Sequence, residues 1–204
     1  MALTGPFAAT RWPGWIASLL AFGSAGSPAA ASPEILLLDS ARSHAEFSVK
    51  VLWMLDVNGQ FGSVHGHVRV DHARGEAVVD ARIDANAVRM RRNGTENWVK
   101  SNEFFNVAQY PEIRFVSAPF PLSRLAEGGD LPGSLSLRGY RGPVTFKLQP
   151  SSCAQPAIDC PAEATGSIRR GTFGMRSRKG TLSDKVELRL GIWISDAATR
   201  PDAE

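Results

Sequence analysis

The sequence predicts an all-β fold, an antiparallel arrangement of about eight strands with one short helix. Three observations carry this expectation. Apolar and polar residues alternate over stretch after stretch, Gly-containing turn signals separate the stretches, and a single segment has helical character. Such strands have one apolar side that needs something to face, so they close into a barrel or stack as a sandwich.

Residues 1–31 stand apart from the fold. Arg11 precedes an apolar run, Trp12 to Gly23, and small residues lead to Ala29-Ala30-Ala31, the pattern of a signal peptide cut before Ser32. The run is too short to span a bilayer. The domain then covers residues 32–196, and 197–204 read as a disordered tail. Over 204 residues the chain is 43% hydrophobic and 21% charged, with a formal net charge of +3, ordinary values for one domain with a sizeable core. That charge points to no acidic partner.

The strands follow in order. Ala45, Phe47, Val49 and Val51 alternate with polar residues, as do Val64, Gly66, Val68 and Val70. The same period marks Ala77 to Ala85, Leu135 to Leu137, Val144 to Leu148, and Val186 to Ile194. Turn signals lie at Asn58-Gly59, Arg74-Gly75, Gly128-Gly129-Asp130, Arg141-Gly142-Pro143 and Lys179-Gly180. Ala118 to Gly133 reads as a hairpin with a loose tip. The small residues Gly66, Ala77, Ala81 and Ala85 on the inner face predict an interior that is partly open.

Ser101 to Ser117, SNEFFNVAQYPEIRFVS, is the junction of helix and sheet. Asn93 or Thr95 caps a short helix that runs through Lys100. Phe104 and Phe105 then need burial, and Pro111 biases Tyr110 towards extended geometry. Ile113 and Phe115 face one way from there, Arg114 and Val116 the other.

Candidate chemistry is sparse. Cys153 and Cys160, the only two cysteines, form an even pair at short spacing and read as one disulfide stapling a loop. Two thiols alone supply half of a structural zinc site. His65 and His67 share a strand face but lack further ligands nearby, and His72 falls in a turn. There is no G-x-S-x-G elbow and no phosphate-binding loop. The clusters Arg89-Met90-Arg91-Arg92 and Arg176-Ser177-Arg178-Lys179 have no interleaved aromatics and read as solvated loop ends, not a nucleic-acid surface.

The residues resemble the YceI-like family over nearly the whole domain, Leu38 to about Ile194. Asp39-Ser40-Ala41-Arg42-Ser43 with Phe47 to Lys50 is similar to its opening D-P-x-H-S-x-x-x-F-x-V-K, although Ser40 and Arg42 replace the usual proline and histidine. Val57 to Phe61 with Gly66 resembles V-x-G-x-F-x-x-x-x-G. Ser101 to Ser117 matches S-x-x-F-F-x-V-x-x-Y-P-x-I-x-F-x-S at every fixed position. Gly133 to Gly139 with Pro143-Val144, and Ile168 to Met175, resemble the two later motifs. The Cys153–Cys160 loop lies outside the common pattern.

The resemblance implies a lipocalin-like antiparallel barrel, exported to the bacterial periplasm, that holds an isoprenoid chain or similar long amphiphile in an apolar interior. It implies binding, not catalysis, and no cofactor beyond such a bound lipid. The expected inward set is Phe47, Val49, Val51, Phe61, Val68, Val79, Ile83, Phe115, Leu137, Phe146, Ile168, Leu188, Leu190 and Ile192, with Phe104, Phe105 and Phe173 near the ends. Arg170 is the candidate for a polar head group at the mouth, with a surface salt bridge as its other role. Two further readings stay open: an enzyme acting on a small hydrophobic molecule or isoprenoid, and a filled barrel that binds partners on its outer face. A homodimer also stays open.

Overall fold

A computed structural model describes residues 32–91 and 94–195. The signal peptide and the disordered C-terminal tail expected from the sequence, and the cap expected at Asn93, lie outside the described residues. The strands are β1 (Glu34–Leu37), β2 (His44–Val51), β3 (Leu55–Phe61), β4 (His65–Asp71), β5 (Glu76–Asp84) and β6 (Val88–Met90). Six more follow: β7 (Glu112–Ser117), β8 (Phe120–Pro121), β9 (Gly129–Leu137), β10 (Tyr140–Leu148), β11 (Ala162–Arg169) and β12 (Leu182–Ile192). Helices α1 (Thr95–Lys100) and α2 (Arg124–Glu127) are short, and single 3-10 turns occupy Ala85–Ala87 and Arg170–Phe173.

One 12-stranded antiparallel sheet contains every strand, in the order β1-β4-β5-β7-β9-β10-β11-β12-β2-β3-β6, with β8 beside β5. Alternation sets which side faces in. Along β10 every second residue from Gly142 to Leu148 is buried and the residues between are exposed.

The sheet curls back on itself where β1 meets the end of β12. Leu38 bridges Ile194, Leu38 N donates to Gly66 O, and Ser195 N donates to Leu37 O. Thus β1 and β2 act as one kinked strand, β1 closing onto β4 and β2 continuing to β3. The kink is the Asp39–Ser43 turn. Ser43, wholly buried, donates through Oγ to Trp193 O and accepts from Trp193 N, which fixes the seam.

Several expectations need correction. The described residues form twelve strands, where about eight were expected, because β1, β3, β6, β8 and β11 are short or lack clean alternation. Asn58-Gly59 lies inside β3, and the turn before it is Leu52–Met54. Arg141-Gly142-Pro143 lies inside β10; the turn is Arg138-Gly139, both at positive φ. Pro143 is tolerated because pairing with β11 begins only at Phe146, so its missing N–H leaves no gap in that ladder. Thr95 is the first helical residue, and Gly94 precedes it in left-handed geometry without a side-chain cap. The loose tip after Ala118 holds β8 and α2. Arg89 and Met90 belong to β6, not a loop end.

Candidate functional site: an apolar cavity along the barrel

The inner faces of the strands leave a cavity of about 390 Å³. That volume falls within the roughly 300–1,000 Å³ of small-molecule sites. It runs from Val51 and Leu182, paired at one end of the barrel, to Glu34 and His72 at the other. Of the residues expected to face inward, Phe47, Val49, Phe61, Val68, Val79, Ile83, Phe104, Phe105, Phe115, Leu137, Phe146, Ile168, Leu188 and Ile192 all sit on its wall. Ala77 and Ala81 also line it, as their small size suggested. Gly66 and Ala85 do not. Gly66 is small for another reason: a Cβ there would meet the carbonyl oxygen of Asp80 at 2.0 Å, and its φ is +137°.

Aromatic rings shape the wall. Phe47, Phe61 and Phe105 form a mutual cluster with centroids 5.8–5.9 Å apart, and Phe115 meets Phe146 edge-on at 5.0 Å. At the α1 end Trp98 packs edge-on against Phe104 at 4.5 Å. Offset and edge geometries of this kind suit the ring quadrupoles. Phe105 brings α1 and its following turn onto the sheet, which is what the adjacent phenylalanines of the junction segment accomplish.

Phe173 departs from expectation. It is 1% exposed but lies off the cavity wall, its ring under the backbone of Gly142. It is core filling at the turn that follows β11.

Arg170 touches the cavity wall, but the surface salt bridge expected of it is not formed. Its side chain is buried, with Nε donating to Ser183 O, Nη1 to Met175 O and Ser177 O, and Nη2 to Leu182 O. Four of its five N–H donors are therefore spent on backbone carbonyls. Burial lowers its pKa, with Asp184 opposing. Arg170 organises the Met175–Ser183 loop and is not a surface ion pair.

The polar groups that do reach the cavity are few. Besides Arg170, its ionisable lining residues are Glu34, Glu46 and His72, all exposed. His72 Nε2 and Glu34 Oε2 are 2.6 Å apart at one end. Sequence reasoning missed this pair, because β1 shows no clean alternation and His72 sits in a turn. Beside it the end is walled by Leu122 and Leu125 around α2, and by Pro156 and Ile158 of the β10–β11 loop. Cys153 and Cys160 are disulfide-bonded and close that loop, whose Ala157 O accepts from Ile194 N.

No group of three or more His, Cys, Asp or Glu residues is placed to hold a metal among the described residues. His65 and His67 lie on the outer face, His65 within 2.9 Å of Ser63 Oγ. Arg42 stacks on Trp193 at 4.5 Å and pairs with Asp39, so it braces the seam and is not on the cavity wall.

The motifs with recognisable spacing meet at the opposite end. Arg138 donates to Asn102 O and Gly174 O, joining three of them, and Gly139 lies against the Tyr110 ring. The YceI-like domain profile matches residues 37–193. The chain belongs to the YceI-like family. A UPF0312 protein of Yersinia enterocolitica is 29% identical over 175 residues, covering 83% of this chain and 88% of that protein. Another from Shewanella denitrificans is 31% identical, covering 81% and 89%. Among solved structures, BcnA of Burkholderia cenocepacia is similar at a TM-score of 0.60 and 18% identity, covering 76% of this chain and 98% of that one. A polyisoprenoid binding domain from Saccharophagus degradans is similar at 0.58 and 16%, covering 80% and 99%. The YceI-like fold is thus the lipocalin-like antiparallel barrel expected, and the two identities support the fold alone.

Proposed function

We propose that this YceI-like protein binds a long-chain polyisoprenoid or similar amphiphile, such as a quinone or isoprenoid phosphate, inside the barrel and sequesters or carries it. The observation that carries the reading is the composition of the cavity wall. It is aliphatic and aromatic along its length, with ionisable groups confined to exposed residues and to the occupied guanidinium of Arg170. Each methylene withdrawn from water gains about 0.8 kcal/mol, so an isoprenoid tail supplies its own affinity. A polyisoprenoid-binding neighbour of the same fold supports the ligand class.

The Glu34–His72 pair offers a polar end where a head group can hydrogen-bond while the tail occupies the interior. Binding rather than turnover is the reading the family resemblance supports, and the cavity's ionisable lining is limited to Glu34, Glu46, His72 and the Arg170 guanidinium, against a wall that is otherwise apolar. The N-terminal pattern and the disulfide support export to the periplasm.

The test is to extract the purified protein with organic solvent and quantify lipid against protein. Near-stoichiometric isoprenoid supports the proposal. Repeatedly empty preparations that also fail to take up added isoprenoid quinones end it.

A further inference from the structure

The turn between β2 and β3 is apolar where a hairpin tip is ordinarily polar. Leu52, Trp53, Met54 and Leu55 are 50%, 74%, 80% and 55% exposed. Leu52 and Trp53 both adopt positive φ, 49° and 64°. Turns with two such residues favour Asn-Gly, because bulky L side chains are strained there. The chain owns an Asn-Gly pair at 58–59 but places it inside β3. Folding and turn chemistry therefore give no reason for an indole and a thioether at this tip.

Charge stands beside it. Leu52 N donates to Thr181 O at 2.7 Å, so the Arg178–Thr181 turn flanks the tip directly. Arg176, Arg178 and Lys179 are exposed. Arg178 lies over Trp98 and 3.5 Å from Glu103, whereas Arg176 and Lys179 have no ion-pair partner among the described residues. Nearby acidic groups are already engaged: Asp56 pairs with Lys50, and Asp184 accepts from Gly171 N.

We infer that the β2–β3 tip docks on an anionic lipid bilayer, with Trp53 and Met54 entering the interfacial region and Arg176 and Lys179 meeting lipid phosphates. Trp is suited to that zone, having an apolar body and a polar N–H. Basic side chains near an anionic surface add attraction that salt weakens. A tip of four residues is too small for a stable protein interface, which takes about 800 Å² from each partner. Directly behind it, Val51 pairs with Leu182 on the cavity wall, so docking turns that end of the barrel towards the membrane. The docking surface does not depend on which cargo the cavity holds.

The experiment is flotation of the full chain with vesicles of phosphatidylethanolamine and phosphatidylglycerol, against vesicles of phosphatidylcholine. The variants are Trp53→Ser with Met54→Ser, and Arg176→Gln with Lys179→Gln. The vesicle concentration is set so that the parent is about half bound, which keeps loss of the tip visible beside the N-terminal apolar run, and the difference between parent and Trp53→Phe excludes quenching of Trp12 and Trp15 in that run. The proposal expects binding to anionic vesicles to weaken about tenfold or more in each double variant, and binding of the parent to fall with added salt. Bromolipid quenching provides a direct readout, a quenched component that disappears in Trp53→Phe. Equal flotation of parent and variants overturns the proposal, as does absence of a Trp53 quenching component. A dimer in sedimentation that Trp53→Ser abolishes assigns the tip to a second copy and overturns it too. Because lipid extraction reads the cavity and flotation reads the tip, failure of one leaves the other measurable.

Discussion

The Phe47 ring lies across the backbone of Gly59, its register partner in the β2–β3 ladder. A Cβ on Gly59 would sit 2.3 Å from the ring, and Met90 Sδ would be 2.7 Å away. The aromatic wall of the cavity therefore depends on a missing side chain in the neighbouring strand. Gly59→Ala should displace Phe47 from its cluster with Phe61 and Phe105 and cost about 1–3 kcal/mol, the usual penalty of overpacking. Urea denaturation checks the stability, and a paired loss of isoprenoid retention checks the wall.

Arg170 is predicted to be structural. Arg170→Met strands the buried carbonyls of Met175 and Leu182, each costing about 1–3 kcal/mol if left unsatisfied, and the part-buried carbonyls of Ser177 and Ser183, which cost less. The expected outcome is a loss of several kcal/mol that Arg170→Lys only partly restores, since a single ammonium cannot reproduce the planar fork. A thermal melt that leaves Arg170→Met unchanged would refute the assignment.

The disulfide closes a short loop that walls one end of the cavity. Replacing Cys153 and Cys160 together by Ser should lower stability by about 2–3 kcal/mol on the chain-entropy account. Melting under reducing and oxidising conditions measures it. The double variant should show no further response to reductant.

Acid sensitivity should trace to Asp80. Its carboxylate is held below the ordinary range chiefly by hydrogen bonding from Arg114, whose Nε and Nη2 donate at 2.9 and 2.6 Å, against the opposing effect of burial. With a depressed folded pKa, the stabilisation is present above the unfolded carboxylate value near 3.9 and is lost as pH falls through the folded value. Asp80→Asn should remove that part of the pH dependence and lower stability at neutral pH. Chemical denaturation from pH 2 to pH 7, read for both proteins, is the check.

Much of the fold was legible because burial in a barrel follows a period of two. Phe47 and Val49 in β2, Val68 in β4, and Leu188 and Ile192 in β12 alternate cleanly in sequence and line the cavity in space. What misled was local turn chemistry overruled by tertiary contact. Asn58-Gly59 carries the strongest short-range hairpin signal, yet its glycine is set by the Phe47 ring across the ladder. The fate of Arg170 was unreadable for a related reason, since its partners are backbone carbonyls, which leave no side-chain signature. Glu34 and His72 meet only because β1 pairs with β4 across 38 residues of chain.

The central claim is that the interior is a lipid site, and Ala81 offers the sharpest handle on it. This small residue lies on the cavity wall beside Phe115, its register partner in β7. Ala81→Phe adds a ring to the interior and leaves the outer face unaltered. Native mass spectrometry of the parent and of Ala81→Phe, each expressed with export in a bacterial host, tests the claim most directly. The account predicts a discrete adduct of isoprenoid mass on the parent, lost on denaturation, and a bare, folded variant. A bare parent that also takes up no added isoprenoid, or an adduct retained undiminished by Ala81→Phe, would contradict it.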